Sequence, residues 1–259
     1  FVRMLALSEE VRLGFDLSSL KFVLHAAAPC PVGIKQQMID WLGPIIDEYY
    51  GATENVGSTY IRCQDWLRKK GSVGRAVQGP IHICDEHGNE LPAGQPGVIY
   101  FEVVAGRGFN YLNDQDKTDK APHPVHPNWV AVGDIGYVDD EGYLFLTDRK
   151  DFTIISGGVN IYPQMIEDCL ILHPKVMDVA VIGVPNAEYG EEVKAIVQPK
   201  EWGFSGVVLE EELDIWCRTQ MSSVSCLKSY EFVQELPRLP SGKLAKHELR
   251  RLYGAEKPW

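Results

Sequence analysis

A short polar loop after an apolar segment carries the first group of chemically useful side chains. The segment Tyr50-Gly-Ala-Thr-Glu54 joins an aromatic ring, a hydroxyl and a carboxylate. Such a loop can stack on a base, contact a phosphate oxygen and hold Mg²⁺, because hard cations take carboxylate ligands. The same residues fit an ordinary turn before a helix, with Thr53 at the N-cap and Glu54 in the first helical turn. Taken alone, the segment favours the turn.

A glycine pair after a charged turn forms the second group. Asp148-Arg-Lys-Asp151 is followed by Ser156-Gly-Gly-Val-Asn-Ile-Tyr-Pro163. Gly157 and Gly158 leave their backbone N–H groups unshielded by side chains, so a ligand can approach them closely. A tight hairpin is the alternative explanation for the pair.

A single lysine near the end of the chain is the third candidate. Leu236-Pro-Arg-Leu-Pro-Ser-Gly-Lys243 has the proline and glycine spacing of an exposed loop, and a helical pattern follows it. Most lysines in such loops are solvated and inert. Taken alone, the motif therefore predicts that Lys243 is a solvated lysine without a chemical role.

The elements that must position these residues begin with a β-α-β unit. An apolar run at Lys21-Phe-Val-Leu24 precedes a stretch with helical spacing from Val32 to Leu42, and a second apolar run leads to Gly51. Two strands joined by one helix predict a parallel α/β layer. Ligands bind such layers beyond the carboxyl ends of the strands, where the loop after Tyr50 lies.

The rest of the chain predicts two further regions. Short β-rich runs alternate with turn clusters between Ser72 and Thr147, which indicates a small antiparallel barrel or sheet. After about Asp151 strands and helices are mixed, so the fold class is α/β followed by α+β. We expect residues 1–71 to end an α/β subdomain, 72–151 to form a β-rich barrel subdomain, and 152–259 to form a small mobile α+β domain.

Composition and charge limit the class of partner. The 259 residues include 25 Lys and Arg against 36 Asp and Glu, and the net charge of −11 repels a phosphate backbone. We therefore expect no nucleic-acid partner, although local cations and backbone N–H groups can still bind small anions. No apolar run is long enough to span a bilayer, and no leader is visible, so we expect a cytoplasmic protein. The six cysteines lack zinc-site spacing and are expected to be reduced thiols.

Five motifs occur in one order along the chain: Tyr50-Gly-Ala-Thr-Glu54, Val132-Gly-Asp134, Asp148-Arg-Lys-Asp151, Ser156-Gly-Gly-Val-Asn-Ile-Tyr-Pro163 and Pro240-Ser-Gly-Lys243. Together they resemble the adenylate-forming superfamily, which includes acyl- and aryl-CoA synthetases, luciferases and the adenylation domains of peptide synthetases. The resemblance covers essentially the whole chain. It implies a carboxyl-terminal half, because the Ser/Thr/Gly-rich phosphate loop that this family carries earlier is not found in the sequence.

The resemblance implies a role for each motif. His25-Ala-Ala-Ala-Pro29 would form one wall of an adenine slot, with Tyr50 stacking on the other side. Thr53 would contact the α-phosphate, and Glu54 would hold Mg²⁺. Asp134 would accept the ribose hydroxyls with help from Arg149. The nucleotide- and cofactor-binding residues implied in this way are Ala27, Ala28, Pro29, Tyr50, Gly51, Ala52, Thr53, Asp134, Arg149, Gly157, Gly158 and Lys243.

The second half of the chain is implied to move between two steps. Lys243 would bridge the substrate carboxylate and the α-phosphate, and with Thr53 and Glu54 it completes the implied catalytic set. Asp151 occupies the position of the family's hinge. The small domain would turn about it and bring the face of Gly157 and Gly158 to the thioester-forming side.

The glycine and Asp148 motifs are similar to those of fatty acyl-CoA synthetases. The implied reaction joins a carboxylic acid, expected to be a fatty acid, to CoA with ATP and Mg²⁺. Two alternatives stay open: a CoA ligase for aryl or bile-type acids, and an inactive nucleotide-binding fragment. We also expect exposed apolar surface before about Gly71 and self-association of the chain.

Overall fold

The computed structural model describes residues 1–104, 109–221, 227–240 and 242–254. The chain divides into two compact units, Phe1–Asp151 and Phe152–Trp259, each with its own sheet. Cys226 and Ser241 lie outside the described residues, and the other five cysteines form no disulfide. None of the described helices is long and apolar enough to cross a membrane.

The first unit is built on one mixed sheet of eight strands. Its strands are β1 (Val23–His25), β2 (Ile46–Gly51), β3 (Ser58–Ile61), β4 (Ser72–Ala76), β5 (Ile81–Cys84), β6 (Gly97–Glu102), β7 (Trp129–Val138) and β8 (Leu144–Arg149). Its helices are α1 (Val2–Leu5), α2 (Glu9–Leu13), α3 (Val32–Leu42), α4 (Cys63–Arg68) and α5 (Gln115–Lys120). The strand order across the sheet is β1-β2-β3-β4-β8-β7-β6-β5.

The predicted β-α-β unit is confirmed. β1 and β2 pair in parallel with His25 opposite Glu48, and α3 connects them. Ile34 and Met38 are buried one helical turn apart, as the apolar spacing requires, and Gly43 ends the helix with φ +83°. Beyond Gly51 the chain forms β3, which pairs antiparallel with β2. The turn before a helix that would explain Thr53 as an N-cap is therefore not found.

The fold class is confirmed, but the expected small barrel is an open sheet in the described part of the chain. β5 pairs with β6 alone at one edge, and β1 lies at the other. The reason is the bend in β4, where the register shifts at Gly74 (φ +100°). One end of β4 pairs with β8 and the other with β3, so the antiparallel strands extend the α/β sheet instead of closing on themselves.

Large apolar side chains are exposed in the first part of the chain, as predicted. They lie from just before α2 to the first residue of α3, and they give the surface before Gly71 many exposed apolar side chains. These side chains are Leu7, Val11, Leu13, Phe15, Leu17, Leu20, Phe22, Leu24 and Val32.

The second unit is a five-stranded sheet covered by helices on both faces. Its strands are β9 (Ile154–Ser156), β10 (Val159–Ile161), β11 (Val176–Asn186), β12 (Gly190–Pro199) and β13 (Leu227–Phe232), and its helices are α6 (Pro163–Leu170), α7 (Val207–Gln220) and α8 (Lys246–Leu252). Short 3₁₀ turns occupy Lys150–Phe152 and Trp202–Phe204. β11 runs along one edge of β12, and β9 and β13 pair with its other edge.

The alternating pattern of β11 explains the two helical layers. Val179 and Val181 belong to the core beneath α6 and α7, whereas Ala180 and Ile182 belong to the core beneath α8. At the edge of β11, the carboxylate of Glu167 on α6 accepts the N–H of Val181 at 2.6 Å and pairs with Lys246 Nζ at 2.7 Å. The backbone N–H at this strand edge therefore has a hydrogen-bond acceptor, and the charge of that acceptor is compensated by a buried lysine.

Candidate active site

Three of the predicted site residues converge in the first unit. Tyr50 Oη at the end of β2 donates to Asp134 Oδ2 on β7 at 2.5 Å. Arg149 Nε on β8 donates to Asp134 Oδ1 at 2.9 Å, and the two residues stand opposite each other in the antiparallel pair β7–β8. Asp134 is buried, whereas the Arg149 side chain is half exposed. The sheet thus unites residues separated by 84 and 15 positions.

The protonation states of this cluster are set by burial and by Asp134. Burial raises the pKa of Tyr50, and the nearby Asp134 carboxylate raises it further, so the phenol remains a donor. Burial lowers the pKa of Arg149, but the charge and hydrogen bond of Asp134 outweigh burial and raise it overall. Each oxygen of Asp134 has accepted one hydrogen bond and keeps a lone pair, which leaves acceptor capacity for a diol.

The loop between β2 and β3 holds the next pair of predicted residues. Thr53 Oγ1 donates to Glu54 Oε2 at 3.1 Å, and the turn is closed by the N–H of Asn55, which donates to the Ala52 carbonyl. Asn55 takes a positive φ of 54°, a conformation that asparagine tolerates well. The Thr53 side chain is exposed and Glu54 is half buried, so both can be reached by a ligand.

Tyr111 is a site residue that the sequence analysis missed. Its hydroxyl donates to Glu54 Oε1 at 2.7 Å, while its N–H donates to Thr118 Oγ1. Lys117 Nζ lies 4.0 Å from the centroid of its ring, and Phe109 packs edge-to-face at 5.0 Å. One tyrosine in a polar segment has no motif around it, and no signal in the sequence could have placed it here.

The cluster around Asp134 and the residues around Glu54 affect each other's pKa values, so they form one site. The pKa of Tyr50 responds to burial, to Asp134, to Arg149 and to Glu54, and the pKa of Tyr111 is raised by burial and by the carboxylate of Glu54. Partial burial raises the pKa of Glu54, but hydrogen bonds from Tyr111 and Thr53 outweigh it, and the net pKa lies below the ordinary value. Glu54 is therefore an ionised carboxylate beside hydroxyl groups.

The donor set of Glu54 fits Mg²⁺. An ionised carboxylate is a hard oxygen ligand, and Mg²⁺ is commonly held by one or two carboxylates together with substrate phosphates. Within the described residues no group of three or more His, Cys, Asp or Glu side chains could hold a metal ion by itself. Glu54 would accordingly share the ion with a bound phosphate group.

The loop at residues 26–29 follows β1 at the same end of the sheet. Ala27 has φ +73°, which is strained for a residue with a Cβ. The loop residues Ala27, Ala28 and Pro29 are exposed. Gly51 and Ala52, at the end of β2, complete the set of first-unit residues predicted to bind a nucleotide.

The remaining predicted residues lie in the second unit or, for Asp151, at the last residue of the first. Gly157 and Gly158, with φ +57° and +82°, form the two-residue turn of the hairpin β9–β10. The tight hairpin is therefore present, and no atom of the described residues lies within 4 Å of the position of a Cβ on Gly158. Asp151 is exposed in the 3₁₀ turn, directly before the point where the two units divide.

The segment that carries Lys243 is held by backbone hydrogen bonds and by the side chain of Arg238. The N–H of Leu239 donates to the Lys243 carbonyl at 2.8 Å. Arg238 Nη1 donates to the Gly242 carbonyl at 2.7 Å, and the same guanidinium pairs with Asp178 on β11. The Lys243 residue is exposed and, in the described part of the second unit, its ammonium group forms no ion pair. A fixed loop thus presents a free cation to solvent.

Comparisons with known proteins identify similar chains. A family model described as "AMP-binding enzyme" matches residues 1–106, and one described as "AMP-binding enzyme C-terminal domain" matches residues 165–243. The chain is 34% identical over 239 residues to a long-chain-fatty-acid–CoA ligase of Escherichia coli O6:H1, covering 91% of this chain and 41% of that protein. It is also 34% identical over 253 residues to a 2-succinylbenzoate–CoA ligase of Bacillus mycoides, covering 95% and 49%.

A solved structure shares the fold. The amide bond synthetase McbA from Marinactinospora thermotolerans superposes with a TM-score of 0.81 at 27% identity, covering 97% of this chain and 51% of that one. The chain therefore spans about half the length of the relatives it matches.

Replacing Tyr111 with Phe tests the electrostatics of Glu54. Loss of the donor brings the Glu54 pKa back toward its ordinary value, so Tyr111→Phe should lower the free energy of unfolding at neutral pH by about 1 kcal/mol, allowing for solvent screening. A lowered pKa stabilises above the unfolded-state value and ceases to do so as the pH falls through the folded-state value. The difference from the wild type should therefore vanish in acid, as measured by urea unfolding across pH.

Tyr137→Phe is the matched control. Tyr137 on β7 is half buried, and its hydroxyl donates to no carboxylate within the described residues. Its loss should leave the pH dependence of unfolding unchanged. A difference between Tyr111→Phe and wild type that is independent of pH would contradict the assignment to Glu54.

Proposed function

Because the chain belongs to the family of AMP-binding enzymes, we propose that the protein containing it is an AMP-forming acyl-CoA ligase. The substrates are a carboxylic acid, ATP and CoA, and the products are acyl-CoA, AMP and pyrophosphate. The observation that carries the proposal is the convergence of Tyr50, Asp134 and Arg149 beside the Thr53–Glu54 loop. This site offers an aromatic face, a diol acceptor and phosphate ligands in one electrostatic environment.

The first half-reaction forms the acyl-adenylate. A carboxylate oxygen of the acid attacks the α-phosphorus of ATP, the bond from that phosphorus to the bridging oxygen breaks, and pyrophosphate leaves with the electron pair. Tyr50 orients the adenine ring, Asp134 and Arg149 hold the ribose, and Thr53 contacts the α-phosphate. When bound at Glu54, Mg²⁺ supplies positive charge that neutralises the departing phosphates. Lys243 contributes a positioned cation between the carboxylate and the α-phosphate.

The second half-reaction transfers the acyl group to sulfur. The CoA thiol releases its proton to water and the thiolate attacks the acyl carbon, the bond from that carbon to the phosphate oxygen breaks, and AMP leaves with the electron pair. We assign Asp151 as the hinge about which the second unit turns between the two steps. The open space around Gly158 supports the assignment of the Gly157–Gly158 turn to the thioester-forming step.

The acid is assigned as a fatty acid, on the similarity of the Asp148 and Gly157–Gly158 motifs to fatty acyl-CoA synthetases. An aryl acid is the second candidate, because the 2-succinylbenzoate–CoA ligase is 34% identical to this chain, as is the fatty-acid ligase. We also propose that the isolated chain self-associates through its exposed apolar side chains, which light scattering at several concentrations would detect.

The test of the function is release of pyrophosphate and AMP by the complete protein with a panel of short, medium, long-chain and aromatic acids, with and without CoA. We expect CoA-dependent AMP release with fatty acids. Release with aromatic acids alone would select the second candidate. Adenylate formation without CoA-dependent AMP release would remove the thioester step and favour another acceptor, such as the amine of an amide-forming reaction. AMP binding without turnover would identify an inactive nucleotide-binding protein.

Replacing Lys243 with Ala should separate the two half-reactions. We expect adenylation to fall by about 100-fold or more, because a positioned charge is lost from the transition state. Thioester formation from supplied acyl-adenylate should be largely retained. Lys228→Ala, which removes another exposed lysine of the second unit, serves as the control and should affect neither rate. Equal losses of both half-reactions in Lys243→Ala would contradict a role confined to adenylation.

Replacing Asp151 with Pro should have the opposite effect. Proline fixes φ near −65°, a value compatible with the present 3₁₀ turn but restrictive for a hinge. We expect adenylation to persist while thioester formation from supplied acyl-adenylate falls at least tenfold, as measured by single-turnover assays. If both half-reactions remain intact, the hinge lies elsewhere.

A further inference from the structure

Three ionisable side chains meet behind the loops that follow β1 and β2. Lys35 on α3 is completely buried, and its Nζ lies 2.5 Å from Glu48 Oε2. The other carboxylate oxygen, Oε1, lies 3.3 Å from His25 Nδ1 at the end of β1. The Lys35 ammonium also lies 4.7 Å from the centroid of the Trp66 ring. We call Lys35, Glu48 and His25 the buried triad.

The Glu48 carboxylate of the buried triad is ionised at neutral pH. Burial raises the pKa of Glu48, but the nearby imidazole of His25 and the charge and hydrogen bond of Lys35 outweigh burial and lower the pKa overall. An ion pair of this kind is a weak source of stability, because desolvating both charges opposes their attraction and apolar side chains of similar volume often replace them without loss. Its presence therefore requires an explanation beyond the packing of α3.

The position of the triad provides that explanation. His25 is the last residue of β1, and in the parallel pair it stands opposite Glu48, which lies three residues before the end of β2. His25 directly precedes the loop in which Ala27 is strained, and a strained residue persists only where its surroundings determine the conformation. Glu48 precedes Tyr50 by two residues, so their side chains share one face of the strand. The triad therefore anchors the starting points of both loops.

We propose that Lys35 is a positioning residue for the nucleotide, acting through Glu48 on His25 and on the end of β2. The ammonium holds the carboxylate, the carboxylate holds the imidazole, and the imidazole fixes the entry into the loop at residues 26–29. The inference rests on the proposed function, because it takes that loop and Tyr50 as the two walls of an adenine slot.

The experiment compares Lys35→Met, the double variant Lys35→Met/Glu48→Gln and Met38→Ala in the complete protein. Lys35→Met leaves Glu48 with an uncompensated buried charge, and the double variant removes that charge. Met38→Ala leaves a cavity one turn further along α3, where Met38 is completely buried, without touching the triad. For each variant we would measure the melting temperature, the KM for ATP, kcat, the Kd for AMP, and hydrogen exchange of the amides at residues 26–28.

We expect Lys35→Met to melt at a lower temperature and the double variant to regain most of that loss. In both, the KM for ATP and the Kd for AMP should rise by about 10- to 100-fold, the scale of effect that misplacement of a binding group produces, with a smaller change in kcat. Exchange at residues 26–28 should be faster than in wild type. Met38→Ala should lower the melting temperature with wild-type KM, Kd and exchange.

The inference is overturned if the double variant regains both stability and wild-type affinity, or if Met38→Ala weakens nucleotide binding as much as Lys35→Met. Faster exchange with unchanged affinity also overturns it, since the loop would then move without consequence for the nucleotide. If wild type neither turns over nor binds AMP, the proposed function fails. The hydrogen-exchange comparison then decides separately whether Lys35 holds the loop.

Discussion

The carboxylate of Asp134 is the group on which the arrangement of the first unit's site depends. It accepts one hydrogen bond from the Tyr50 hydroxyl on β2 and another from the Arg149 guanidinium on the neighbouring strand β8. Between β2 and β7 lie three other strands, β3, β4 and β8. Only a sheet that curves from the parallel layer into the antiparallel strands can bring these groups within hydrogen-bond distance. The bend of β4 at Gly74 is thus linked to the site, because it joins the two parts of that sheet.

Both units use a buried lysine to compensate a buried carboxylate near their functional loops. In the first, Lys35 pairs with Glu48 behind the ends of β1 and β2. In the second, Lys246 pairs with Glu167, which also accepts the edge N–H of Val181. α6, which carries Glu167, begins two residues after the hairpin that contains Gly157 and Gly158. In each case the ion pair contributes little net stability and lies on an element next to an exposed loop.

The sequence allowed the regular elements to be predicted where burial is periodic. The helix Val32–Leu42 has apolar residues at helical spacing and appears with the predicted bounds, and the apolar run Lys21–Leu24 appears as β1 with a small change of boundary. β3, α4 and β4 were not predicted, because their short segments mix charged and apolar residues without a clear period. The open sheet could not be predicted either, since closure depends on how two distant edges meet. Tyr111, Lys35 and Glu48 were missed for a related reason: each acts through partners far away in sequence.

The glycine pair and Lys243 show why the residues of a motif alone do not reveal its function. Gly157 and Gly158 are required by the hairpin, whose two turn positions both have positive φ, whether or not a ligand approaches them. Lys243 is exposed as an inert lysine would be, yet its loop is fixed by Arg238 and Asp178, which an inert lysine does not need. The structural and chemical explanations of a motif are therefore compatible. What separates them is the presence of fixing contacts that the local turn does not require, and these contacts become visible only in three dimensions.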